Sequence, residues 1–167
     1  MAKHAIACPF PKGPSPSWVF AFKLTFAPGT PKIRATLFLI FAGSLVTSTG
    51  SALAVPDWPL AYGMLFPPMV GGVFFEHGHR LIGALVGLLI VAMALWTQHS
   101  DARPGVRRLA WWTVLVVSLQ GVLGGVTVLL GLPVAVSCAH AAIGQTVFCM
   151  LLVMAELMGE DPPAIPG

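Results

Sequence analysis

The chain has 167 residues, of which 56% are hydrophobic and 9% charged, with a mean hydropathy of +0.85. A soluble domain carries about 25% charged residues, so this composition excludes an ordinary water-soluble domain and points to an integral membrane protein. The net charge of +3 then reads as membrane topology, and no nucleic acid is expected as a partner.

Residues 1–31 are rich in Pro with scattered Lys and no sustained apolar run. They are expected to form a flexible cytoplasmic tail, since the compact plan of a cleaved signal peptide is missing. Four apolar stretches follow at about 35–54, 73–96, 109–132 and 133–155. Each reaches the roughly 20 residues that a bilayer span requires. The last two meet at Gly131-Leu132-Pro133, a helix breaker. Four spans with mostly short links predict an all-α, up-down four-helix bundle in the membrane over residues 32–158. Residues 159–167, ending "DPPAIPG", are expected to be disordered.

Eight of the nine Lys and Arg residues fall on one side of this arrangement if the N-terminus is inside; only Arg80 falls outside. Positive charge accumulates in cytoplasmic loops, so both termini are expected in the cytoplasm and the chain in the inner (plasma) membrane. Trp96, Trp111 and Trp112 then mark the inner boundary, with Trp58 and Tyr62 in the outer loop. Cys138 and Cys149 lie eleven residues apart in the fourth stretch, about 16 Å along a helix, too far to bridge. No CxxC or CxxCH occurs, which argues against thiol-redox chemistry and covalent haem attachment.

The opening of the second stretch reads "EHGHR", placing Glu76, His77, His79 and Arg80 where apolar residues are expected; the fourth holds His140. Ionisable groups inside a span are costly and mark function by default. His79 and His140 each lie about 9–10 Å below the outer surface, at 1.5 Å per residue. Two imidazoles at one depth suit axial ligation of a haem iron within a bundle; the plain alternative is two hydrogen-bonded histidines tying helices together. Gly83 and Gly87 below His79, and Gly144 below His140, leave room for a flat ring, or else serve ordinary helix packing. Glu76 shares a face with His79, beside the space a ring would fill. Arg80 suits a haem propionate, or a snorkelling anchor. His77 points about 100° away and is the weaker candidate.

The first outer loop, with its Pro and Gly content, is expected to form a structured cap. Together, "TGSALAVPDWPLAYG", "EHGHR", "QGVLGGVTVL" and "HAAIGQ" resemble, in order and spacing over about residues 35–155, the N-terminal half of the haem A synthases of bacteria and mitochondria. The resemblance implies a membrane oxidoreductase that oxidises the C8 methyl of haem O toward the formyl of haem A, in haem A biosynthesis for cytochrome oxidase assembly. It implies Glu76 as the catalytic carboxylate and His79 and His140 as the haem iron's axial ligands. The haem would be haem O or A as substrate or product, or haem b, held toward the outer leaflet. Family members are eight-helix proteins of two such bundles, so a homodimer or a separate second-half subunit is the expected partner, with haem O synthase and oxidase assembly proteins as further candidates. Ala61 stands where some members carry a cysteine, which makes thiol control of this loop unexpected. Two other readings stay open: a bis-histidine haem protein acting in electron transfer or haem delivery without catalysis of its own, and a structural subunit with no cofactor.

Overall fold

In the computed structural model of the chain, residues 30–101 and 103–159 are described; the N-terminal tail at 1–29 and the C-terminal residues 160–167 lie outside them. Four helices account for most of the described chain: α1 (Thr30–Ser48), α2 (Gly72–Ser100), α3 (Pro104–Leu129) and α4 (Val134–Gly159). Of these, α2, α3 and α4 are long and apolar enough to cross a membrane. The shorter α1 is not among them, and Lys32 and Arg34 stand near its start.

The first apolar stretch was expected to run helical to residue 54, but α1 stops at Ser48. The physical reason lies in the run Thr47-Ser48-Thr49-Gly50-Ser51. The hydroxyls of Ser48 and Thr49 bond back to the Leu45 carbonyl at 3.3 and 2.7 Å, competing with the helix for its last acceptors. Gly50 then takes a φ of 67°, the left-handed conformation that ends helices. At the other ends, Pro104 opens α3 at a position where its missing N–H costs nothing. The α3–α4 turn is made by Gly131 (φ 69°) and Leu132 (φ 62°), just before Pro133.

Each helix packs on its two neighbours in the order α1–α2–α3–α4–α1; among the described residues the diagonal pairs, α1–α3 and α2–α4, do not approach backbone to backbone, and across the α2–α4 diagonal side chains meet where Thr97 Oγ1 lies 3.9 Å from Met158 Sδ. The links 101–103 and 130–133 are too short for anything but antiparallel neighbours. The close-packed core is confined to one end. It consists of Val86, Ile90, Met93 and Ala94 on α2, Val106 and Ala110 on α3, and Val147, Leu151 and Met154 on α4. Arg103 closes that end, donating to Asp101 and to the Leu157 carbonyl at 2.7 Å.

Candidate functional site

The opposite end of the bundle carries His79 and His140. Each stands seven residues before the first core residue of its own helix, Val86 and Val147. Seven residues are two helical turns, about 10 Å, so each histidine shares the inward face of the core residue below it. The two lie on the diagonal helices α2 and α4, whose backbones do not approach each other, and His140 is near enough to bear electrostatically on the His79 ring. The side chains thus converge on the bundle interior from opposite sides, above the core.

Each ring rests on a glycine of the neighbouring helix. A Cβ built on Gly43 of α1 would lie 2.9 Å from Cε1 of His79, and one on Gly124 of α3 would lie 2.9 Å from Cε1 of His140. The backbone carbonyl that acts on the His79 ring is that of Leu39, and for His140 it is that of Gln120. Both carbonyls belong to the residue four before the glycine. In a helix Cβ leans toward the N-terminus, over the carbonyl one turn back; glycine uncovers that carbonyl. Neither contact reaches good hydrogen-bond geometry, and the buried Nδ1 atoms of both rings have no such partner. The Gln120 side chain also donates to the His140 backbone carbonyl at 2.8 Å.

The two hairpins repeat one pattern. One turn beyond His79, Gly83 faces Leu39; one turn beyond His140, Gly144 faces Gln120, whose Nε2 would lie 3.0 Å from a Cβ there. Gly83 and Gly144 therefore serve the packing of helix neighbours, while a Cβ on Gly87 would meet nothing within 4 Å. The shared pattern is legible as "HRLIGALVGLLIVAM" beside "HAAIGQTVFCMLLVM", where His, Ile-Gly, Val and Met recur at the same intervals. Sequence reading overlooked this repeat, and with it Gly43 and Gly124, because the seat of each histidine lies on another helix.

The repeat breaks where the polar chemistry is. Glu76, three residues before His79, corresponds to Ser137, three before His140; Arg80 corresponds to Ala141. Glu76 is 3% exposed. Its Oε2 accepts the Val55 N–H at 2.8 Å, and its Oε1 accepts from Arg80. Arg80 also donates to the carbonyls of Asp57 (2.7 Å), Leu60 (3.0 Å) and Val55 (3.1 Å). The guanidinium fork is thereby used to hold the outer loop, residues 49–71. His77, buried, meets the Leu65 carbonyl through Nε2 at 2.9 Å, a further tie to that loop. Ser137 keeps a buried Oγ without a partner.

The loop is an ordered cap, as its composition suggested. Asp57 accepts the Tyr62 and Gly63 N–H groups at 2.7 and 2.8 Å. These bonds hold its carboxyl below the usual aspartate range, the Gly63 bond contributing most. Tyr62 donates to the Ala54 carbonyl. Trp58 packs on Gly125 of α3, whose Cβ would fall 2.6 Å from the indole Cε2. Ala61 is fully buried in this cap.

Over residues 69–154 the chain matches the sequence model of the COX15-CtaA family, described as cytochrome oxidase assembly protein. Among individual proteins it is 31% identical over 128 residues to a heme A synthase of Bacillus licheniformis, covering 75% of this chain and 42% of that protein. It is 34% identical over 132 residues to one from Symbiobacterium thermophilum, covering 77% and 42%. Against one from an Exiguobacterium species the identity is 30% over 141 residues, covering 83% and 46%. The chain spans less than half the length of each of these relatives.

Proposed function

The chain belongs to the COX15-CtaA family of cytochrome oxidase assembly proteins and is a membrane protein, and from that premise we propose that its bundle is a haem A synthase-type oxidoreductase unit acting on haem O. The substrate's iron would be held between His79 and His140, and its C8 methyl oxidised toward the formyl of haem A. The observation that carries this reading is the convergence of those two imidazoles from diagonal helices, at one level, into space above the core. Nδ1 of each ring is buried without a hydrogen-bond partner, and Nε2 is the nitrogen proposed to meet the metal. Histidine pairs on facing helices are how bundles hold haem.

Glu76 is the group proposed to assist the oxidation. It stands one turn above His79 with its carboxylate fixed by Val55 and Arg80. A carboxylate held in place can stabilise positive charge developing on the substrate without reorganising. It has a second duty, since the same bonds hold the outer loop. Arg80 is proposed to act at the rim of the site by holding Glu76 and the outer loop in place; with both terminal nitrogens so engaged, its Nε–H is the donor left for a propionate. Oxidising a methyl to a formyl with water as the oxygen source releases four electrons and four protons. The electrons are proposed to leave through a partner, either a second copy of the bundle or a separate second-half subunit.

The topology that suits this function has four spans, both termini cytoplasmic and the site toward the outer leaflet of the inner membrane. Support for it comes from the positive charge gathered at Arg103, Arg107 and Arg108 beside the core end. The test is conversion of haem O in membranes containing the chain, comparing wild type with Glu76→Gln. Formyl haem made by wild type and lost in the variant, with haem still bound, supports the proposal. Equal conversion by both removes Glu76 from the chemistry.

A further inference from the structure

Metal-ligating histidines owe their orientation to what the other ring nitrogen meets. In this bundle that environment is supplied twice, by the same device, from helices that carry no ligand. We propose that Gly43 and Gly124 are positioning residues for the two histidines: each is the seat on which an imidazole is aimed at the bundle interior. The proposal rests on the haem-binding reading of the same site.

Three observations carry it. A Cβ at either glycine would come within 2.9 Å of the facing ring's Cε1, closer than real Cβ contacts allow, so any larger residue must displace the ring. Each glycine lies one turn after the carbonyl that acts on its ring, Leu39 or Gln120. Finally, the arrangement occurs in both hairpins at matching intervals, with Leu39 and Gln120 packing on Gly83 and Gly144 in the same register. Gly83 and Gly144, which serve helix packing, are met by Leu39 and Gln120. Gly43 and Gly124 are met by the two candidate ligands.

The ring's freedom distinguishes positioning from packing. Without haem an imidazole can turn about its χ angles and yield to a new methyl group at little cost. A ring that held iron would lose that freedom and could not yield. Alanine at 43 or 124 should therefore leave the haem-free protein stable and weaken ligation. Glycine-to-alanine changes also favour helix, so folding itself is not at risk. Gly121, exposed on α3 with nothing within 4 Å of its Cβ, provides the control.

The experiment uses the full chain in detergent, titrated with ferric haem b, and reads the low-spin six-coordinate spectrum alongside the melting temperature of the haem-free protein. Gly43→Ala and Gly124→Ala should each bind haem roughly tenfold or more weakly, the usual scale for loss of a ligand's supporting partner, or show a high-spin five-coordinate fraction. Both should melt like wild type when haem-free, and Gly121→Ala should match wild type in both readings. Wild-type spectra and affinity in both seat variants would overturn the proposal. So would a loss of haem-free stability that accounts for the weaker binding, since that is packing. If wild type itself gives no low-spin haem, the haem-binding reading fails and the seats fall with it.

Discussion

Trp58 of the outer loop and His140 of α4 are seated on adjacent residues of α3: the indole on Gly125, the imidazole on Gly124. The cap over the bundle and a candidate ligand thus share one short segment of helix. Gly125→Ala should unseat Trp58, because its Cβ would fall 2.6 Å from Cε2 and 2.9 Å from Cε3 of a ring too large to slip aside. Overpacking of this kind costs about 1–3 kcal/mol. The expected outcome is a red-shifted Trp emission that Trp58→Phe abolishes, together with faster proteolysis of residues 49–71. Unchanged emission and proteolysis would show that the contact does not hold the loop.

Arg80 bonds one carboxylate and three loop carbonyls. Arg80→Ala leaves the buried Glu76 charge without its partner, an error that costs about 3–5 kcal/mol. Arg80→Lys keeps the charge but not the fork that reaches several acceptors at once, so it should restore only part of the loss. Adding Glu76→Gln to Arg80→Ala should recover stability, because the stranded charge is removed. Chemical denaturation of wild type, Arg80→Ala, Glu76→Gln and the double variant measures this cycle, and additive effects would contradict it.

Asp57 holds the turn through the Tyr62 and Gly63 amides, and these bonds lower its folded pKa. A carboxyl depressed on folding stabilises the turn above its unfolded pKa of about 3.9; that contribution is lost as pH falls through the lower, folded value. The amide NMR signals of Tyr62 and Gly63 should therefore titrate together, with a midpoint below the ordinary aspartate value. Asp57→Asn should remove the titration. A midpoint at or above the ordinary value would mean the turn does not depend on the carboxylate.

Ser137 holds a buried hydroxyl with no partner, at the position equivalent to Glu76 in the repeat. An unsatisfied buried polar atom gives no stability in return for its desolvation. Ser137→Ala should leave the haem-free melting temperature unchanged or raise it slightly. A clear drop would reveal a partner for the hydroxyl.

Much of this arrangement was legible in the sequence because the bilayer leaves few options. Long uncharged runs mark α2, α3 and α4, and two histidines at one depth stand out against them. The inward direction of both came from the structure, through the seven-residue step to the core residues Val86 and Val147. Other features depended on tertiary partners that local pattern does not name. Arg80 spends its donors on loop carbonyls about twenty residues away, which its charge alone could not indicate. Gly83 and Gly144, on the ligand helices, drew attention as room for a ring, yet they receive Leu39 and Gln120. The glycines that receive the histidines, Gly43 and Gly124, lie on α1 and α3, and only the HxxIGxxV repeat pointed to such a pairing. The early end of α1 came from hydroxyl back-bonding at Ser48 and Thr49, which hydropathy does not register.

The central claim is that His79 and His140 together hold a haem on the path to haem A. The measurement that tests it most directly is the optical spectrum of the purified chain, with its extracted haem identified by chromatography and mass, for wild type, His79→Ala and His140→Ala. The account predicts a low-spin bis-histidine haem in wild type, identified as haem O or an oxidised product of it. Each single variant should lose the low-spin signal. A wild-type protein that binds no haem even after reconstitution with haem O, or a low-spin spectrum that survives either substitution, would contradict it.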